Sequence, residues 1–227
     1  MATARRRETV GENMTQSVIK ILAMLTMLID HIGMLLFPDV AILRIIGRLA
    51  FPIFAYCIAE GCIYTRNHKK YLFRILICAV IFQIIDFFVS PQPTLCILWS
   101  YAAAVGFVIV YQWAKKKWSI RQMMPVSYAL LMSLLLLIFQ VDYLFFGFFF
   151  IIAAYLLYHS WTRWIPLTIL LVLVGLCYEY QLWALITIPI LMLYNGKQDK
   201  LKIGKVMYYF YPLHYLLIGI LCYLVKL

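Results

Sequence analysis

Apolar residues dominate the chain in long runs, and polar residues fall between the runs rather than alternating with them. A bilayer core takes about 20 apolar residues per helix, with a range near 17–25. On that scale the pattern predicts nine spans, with eight and ten as neighbouring counts: 18–37, 42–64, 71–88, 96–113, 124–139, 143–158, 164–178, 180–193 and 206–225. The four between 124 and 193 are short, and the pair around Glu179 also reads as one broken hairpin. The expected fold is all-α: a single transmembrane helical bundle over 18–227, preceded by a short basic arm, 1–17. No internal repeat, low-complexity stretch or second domain interrupts it.

The polar connections sort by charge. Fifteen of the 20 Lys and Arg lie in the N-terminal arm and in alternate loops, with Arg66, Lys69 and Lys70, then Lys115, Lys116, Lys117 and Arg121, then Arg163, then Lys197, Lys200, Lys202 and Lys205. The opposite loops carry Asp39, Asp142 and Glu179 and no basic residue. Cytoplasmic loops collect Lys and Arg, so this asymmetry places the N-terminus in the cytosol.

Composition agrees. Of 227 residues, 66% are hydrophobic and 13% charged, where soluble domains are about half apolar and about a quarter charged. The net charge of +11 is explained by the inner loops and needs no nucleic acid. The first apolar run is too long for a signal-peptide core of roughly 7–15 residues, so the first span is expected to stay. Six cysteines, Cys57, Cys62, Cys78, Cys96, Cys177 and Cys222, lie mostly within apolar runs without metal-ligand spacing. They read as small buried hydrophobes, and no metal site is expected.

Against this background "LIDHIG", residues 28–33, is anomalous. A charge at the centre of a span costs roughly 2.5–3.5 kcal/mol on insertion scales. On a helical projection, Lys20, Met24, Met27, His31 and Met34 form one stripe, flanked by Ala23, Thr26, Asp30 and Gly33, while the other face is aliphatic. Asp30 and His31 therefore lie on the inward side. Neighbours in a helix point about 100° apart, so each needs a partner from another helix. Arg44 and Arg48 are one turn apart in the second span. At about 1.5 Å rise per residue, Asp30 and Arg48 both lie roughly 9–10 Å below the outer edge. That depth predicts an Asp30–Arg48 pair, which leaves His31 to face a cavity. Such a pair also serves to fix helix register alone.

Glu60 sits about one turn from the inner end of the second span, near Arg66. His214 follows Pro212 in the last span, with Tyr211 one turn before it. Proline removes one helical hydrogen bond and frees the carbonyl of Tyr208. Arg74, Gln83 and Asp86 are further polar positions in the third span.

The runs "IKILAMLTMLIDHIG", "IGRLAFPIFAYCIAEGCIYTRNHKKYLFRI" and "YYFYPLH" resemble the TraX family, named for the conjugative F-pilin acetylase. The likeness is strongest over 18–76. It implies an integral membrane N-acetyltransferase using acetyl-CoA, whose acceptor in the named member is the N-terminal amine of pilin. The first span is also similar to those of transmembrane acyltransferases acting on heparan glucosamine and on polysaccharides. The resemblance points to His31 and Asp30, and with them Arg48 and His214, as the catalytic set. Acetyl-CoA is polyanionic, so it is expected to dock on the cytosolic side, and the donor-binding set is Arg66, Lys69, Lys70, Arg74, Lys115, Lys116 and Lys117, together with Arg44, Glu60 and Tyr211. The acceptor, a peptide or glycan amine or hydroxyl, is expected from the acidic outer side, in a bacterial cytoplasmic membrane. Direct transfer with a histidine base and transfer through an acetyl-histidine both fit. The rival readings are a proton-coupled transporter relaying through Asp30, His31 and Glu60 and a non-catalytic scaffold.

The loop asymmetry generates the first prediction. In a background without native cysteines, a cysteine at 142 reacts with an impermeant external reagent and a cysteine at 116 does not. The opposite labelling overturns the orientation.

Overall fold

The computed structural model describes residues 14–90, 93–115, 123–197 and 203–226. Most of the basic arm, together with Lys116 and Lys117, therefore lies outside the described residues. Among the described residues there are ten α-helices: α1 Gln16–Leu35, α2 Ala41–Gly47, α3 Ala50–Tyr64, α4 His68–Val89, α5 Leu98–Lys115, α6 Met123–Ile138, α7 Phe146–Leu156, α8 Trp164–Cys177, α9 Thr187–Leu193 and α10 Gly204–Lys226. Two 3₁₀ segments, Trp161–Arg163 and Gln181–Ile186, precede α8 and α9.

The all-helical class holds, but nine full-length spans do not appear. Four stretches are long and apolar enough to cross a bilayer: Gln16–Leu35, Ala41–Tyr64, His68–Val89 and Gly204–Val225. Helix α5 has 18 residues with polar positions near its C-terminal end, and the rest of the bundle is built of shorter apolar helices. The 11 residues of α7 reach about 17 Å at 1.5 Å per residue, against a hydrocarbon core of about 30 Å. The pair around Glu179 is the broken hairpin, α8 followed by the 3₁₀ segment Gln181–Ile186 and α9.

The second expected span is two helices. Pro52 stands in the first turn of α3. It has no N–H for the Arg48 carbonyl, and its ring crowds that carbonyl, so the helix breaks at the residues four and three before it. The chain turns at Arg48 and Leu49 and restarts at Ala50. Pro212 acts differently. It stays inside α10, and the Tyr208 carbonyl it frees accepts from Cys78 Sγ of α4 at 3.5 Å.

Helix α3 is apolar around its circumference apart from Glu60 and is mostly buried. It packs on α1, α5, α7 and α9. Helix α4 packs on α5 and α10, and α10 on α1. Helix α6 touches α5 and turns Leu130, Leu131, Leu134 and Ile138 outward, a face suited to lipid. Helix α1 buries Ile19, Ala23, Met24, Met27 and Gly33 and exposes Val18, Ile21 and Leu25, close to the division its sequence predicts.

Side-chain and backbone contacts gather the connections at two ends. At one end Asp142 N donates to Leu95 O (2.8 Å), Thr94 Oγ1 donates to Asp142 Oδ1 (3.1 Å) and the Tyr143 and Tyr178 rings meet at 5.4 Å. At the other, Gln16 N donates to Lys197 O (3.0 Å), and Asn195 N to Met14 O (3.1 Å).

Two glycines set the approach of α2 to α1. A Cβ on Gly33 would lie 2.7 Å from Leu43 Cβ, and one on Gly47 would overlap the Asp30 side chain. Gly47→Ala is therefore expected to lower stability by about 1–3 kcal/mol through overpacking. Gly204→Ala, whose Cβ would meet nothing nearer than Lys20 Nζ at 3.9 Å, is expected to be neutral. Thermal melts of both variants in detergent check this, and equal melting temperatures would refute it.

Candidate functional site

The break between α2 and α3 delivers two guanidiniums to one carboxylate. Asp30 Oδ1 lies 2.5 Å from Arg48 Nη2 and 2.9 Å from Arg44 Nη1. Arg48 is fully engaged: Nε donates to Arg44 O (3.2 Å), Nη1 to the Tyr143 hydroxyl (2.9 Å) and Nη2 to Asp30. Its side chain is 9% exposed. The Arg44 carbonyl also accepts from Arg48 N at 3.1 Å, so side chain and backbone of Arg48 meet on one acceptor at the helix end. Arg44 Nη1 additionally donates to the Asp30 carbonyl at 3.1 Å. Asp30 and Arg48 are thus paired, with Arg44 as a second cation.

The two histidines meet although 183 residues separate them. His31 Nδ1 lies 2.6 Å from His214 Nε2, with ring centroids 4.9 Å apart. His214 Nδ1 lies 2.7 Å from Phe210 O. A carbonyl only accepts, so His214 carries its proton on Nδ1 and, when neutral, presents the Nε2 lone pair. His31 must then donate from Nδ1, which leaves its own Nε2 unprotonated. No described residue hydrogen-bonds to that nitrogen. A backbone carbonyl on α10 thereby selects the tautomer of a histidine on α1.

His31, Asp30, Arg44, Arg48, Phe51, Phe82, Asp86, Asp142, Tyr143, Tyr178, Tyr211 and Tyr215 line a cavity of about 330 Å³. From α4 it reaches only Phe82 and Asp86, with Ser90 just past the helix, and it is bordered by Thr94, Cys96, Asp142 and Tyr178 at the end that gathers the acidic connections. Asp86 accepts from the Tyr215 hydroxyl at 2.8 Å, and the Tyr215 ring stands edge-on to His31 at 4.9 Å. Asp142, in the α6–α7 connection, is pushed up to about 6 by burial, with the Thr94 hydrogen bond opposing.

The expected donor-binding residues do not come together. Tyr211 lines the cavity, 6.3 Å ring to ring from His214. Lys69, Lys70 and Arg74 lie with Phe73 around a separate shallow groove at the start of α4. Arg66 and Lys115 are exposed. From Arg74 to Asp86 is 12 residues of α4, about 18 Å of rise.

Glu60 departs furthest from its expected place. It is 1% exposed, and its carboxylate accepts from Tyr158 (2.9 Å), Tyr194 (2.7 and 2.8 Å) and Gln16 (3.2 Å). It clamps α3 to the termini of its neighbours instead of meeting an anionic donor near Arg66. It lies 10 residues, about 15 Å of rise, along α3 from Ala50.

Several cavity residues carry no sequence signal. Tyr143 reaches Arg48 from a connection in which Gln140, Tyr143 and Leu144 all have positive φ. Tyr215 and Tyr178 sit in apolar stretches where any aromatic packs equally well. The role of the Phe210 carbonyl belongs to the backbone and leaves no trace in side-chain identity.

The chain is similar to an uncharacterized protein of Rickettsia prowazekii (strain Madrid E), 43% identical over 77 residues, which is 33% of this chain and 29% of that protein. It is also similar to the probable fimbrial assembly protein FimC, serogroup H1, of Dichelobacter nodosus, 38% identical over 69 residues, 29% and 28% of the two chains. The chain thus spans under a third of the length of either relative. No solved structure matches. The family model described as TraX protein matches residues 15–222, which takes in both histidines, both arginines and Asp30, and the chain accordingly belongs to the TraX family.

Proposed function

We propose that the protein is a membrane-embedded acetyltransferase, moving an acetyl group from acetyl-CoA to an amine or hydroxyl acceptor at the cavity. The observation that carries this reading is the ordered chain Phe210 O, His214, His31, which ends in an unprotonated ring nitrogen beside a cavity. A base held by a second group that is itself held by a third is the arrangement nucleophilic and acid–base catalysts use.

His31 takes the acceptor's proton at Nε2 as the acceptor attacks the thioester carbonyl. The imidazolium that forms keeps its Nδ1–H on His214, so no ring has to turn. His31 then returns the proton to the departing thiolate. Asp30 and Arg48 act on geometry: they lock α1 against the α2–α3 break and so fix the backbone that carries His31. The acetyl-CoA phosphates are met by the exposed cations Lys69, Lys70 and Arg74 on α4, together with Arg66 and Lys115. The family and the fimbrial assembly name of the Dichelobacter relative favour a peptide acceptor, such as a pilin-like N-terminus, over a glycan, and a bacterial cytoplasmic membrane as the location. Purified protein incubated with labelled acetyl-CoA and a panel of amine and hydroxyl acceptors tests the reading; no labelled product with any of them refutes it.

Two predictions follow from the division between base and frame. His31→Gln keeps a polar side chain of similar size and removes the base. Activity should fall by about 10²–10⁴, the usual worth of acid–base assistance, with the melting temperature close to that of the unaltered protein. Near-native turnover by this variant would remove His31 from the mechanism.

Asp30→Ala strands two guanidiniums. Breaking a buried ion pair costs about 3–5 kcal/mol, so this variant should lose stability together with activity. Thermal melts alongside the acetylation assay separate it from His31→Gln; an Asp30→Ala protein of unchanged stability would deny the aspartate its structural part.

A further inference from the structure

Asp30, Arg44 and Arg48 together carry one carboxylate and two guanidiniums, so the cluster has one more cation than anion, with Asp86 and Asp142 elsewhere on the same cavity wall. The two arginines hold that charge differently. Every nitrogen of Arg48 has a protein acceptor. Arg44 spends Nη1 alone, on Asp30 Oδ1 and on the Asp30 carbonyl. Its Nε and Nη2 have no hydrogen-bond partner among the described residues, and neither is a fully enclosed orphan. The Arg44 side chain is 23% exposed, against 9% for Arg48, and it lines the same cavity as His31.

Its placement relative to the base is fixed twice over. The carbonyl that Arg44 grips belongs to Asp30, the residue bonded to His31 in the chain. Gly33, on the same helix face, lets α2 approach: a Cβ there would sit 2.7 Å from Leu43 Cβ, while Arg44 Cδ would be in ordinary contact at 3.5 Å. Spare donors and the unprotonated histidine nitrogen are therefore held on one short stretch of α1 and open to one cavity. An acyl group whose carbon is attacked beside His31 presents its carbonyl oxygen to this wall.

We propose that Arg44, and not Arg48, is the catalytic cation: its free N–H groups bind the oxyanion that forms on the acyl carbonyl oxygen. This rests on the acetyltransferase reading above. The acceptor lone pair forms a bond to the thioester carbon, and the carbonyl π pair moves onto oxygen, facing Arg44. The acceptor proton goes to His31 Nε2. When the oxyanion collapses, the carbon–sulfur bond breaks, and the thiolate takes the proton back from His31. The products are the acetylated acceptor and free thiol, with no oxidant or further reactant. Arg48 is a positioning residue that keeps Asp30, Tyr143 and the α2–α3 break in place.

The test compares Arg44→Gln and Arg48→Gln in the intact, detergent-solubilised protein, with acetyl-CoA and an accepted amine or hydroxyl substrate. Loss of a donor to an oxyanion costs about 10²–10³ in kcat. An interaction made only in the transition state lowers kcat and kcat/KM together. Arg44→Gln should therefore lose about that factor in kcat with KM little changed and a near-native melting temperature, because Arg48 still pairs with Asp30. Arg48→Gln should lose melting temperature first. Added guanidinium should restore part of the rate of Arg44→Ala. Should wild type transfer acetyl and Arg44→Gln match its kcat, or should Arg44→Gln change only KM or stability, this assignment falls and the broader reading stands. Should wild type transfer no acetyl group to any acceptor, both fall.

Discussion

One carboxylate shared by two guanidiniums governs the arrangement of this bundle. Charges in a membrane interior are tolerated where they face one another or a wet cavity, and Asp30, Arg44 and Arg48 do both. The pairing forces α2 against α1, and the approach is close enough that Gly33 and Gly47 cannot carry a Cβ without displacing a neighbour. Pro52 contributes from the other side: by ending the helix at Arg48 it frees that residue to reach back to the Arg44 carbonyl, across to Asp30 and out to Tyr143. Remove the carboxylate, and the turn, the glycine contacts and the tyrosine lose their common anchor.

The histidine pair depends on that anchor. His31 follows Asp30 in the chain, so its ring is placed by whatever holds the Asp30 backbone. Its partner is placed by an ordinary helical carbonyl, Phe210 O, one turn before His214. Pro212 lies between these two residues, and the carbonyl it frees at Tyr208 faces Cys78 on α4. The proline thus helps seat α10 against α4 in the register that brings His214 under His31. The polar network and the apolar packing are two descriptions of one fit.

Much of this was legible in the residues. A single acid–base dipeptide in an apolar run announces partners elsewhere, and equal depth along two helices was enough to pair Asp30 with Arg48. The freed Tyr208 carbonyl followed from proline chemistry alone. What could not be read depended on geometry without a residue signature. Hydropathy windows see Ala41–Tyr64 as one span and pass over Pro52, because a proline costs little in apolar content and much in backbone bonding. Glu60 looked like an interfacial acid because its spacing from Arg66 is local. The three groups that enclose it, Gln16, Tyr158 and Tyr194, lie 44, 98 and 134 residues from it in the chain. Span counting failed where helices such as α7 are shorter than the apolar stretches around them.

His31 lies on α1 and His214 on α10. During synthesis the second emerges 183 residues after the first. Phe210 O and His214 share one helix and can set each other as soon as that helix forms. Until α10 docks, however, the ring on α1 has no partner to choose its tautomer. A chain stalled or cut before α10 holds the acid, both cations and one imidazole, yet lacks the means to orient that imidazole. The order in which the helices are made thus sets the orientation of this ring well after the helix that carries it.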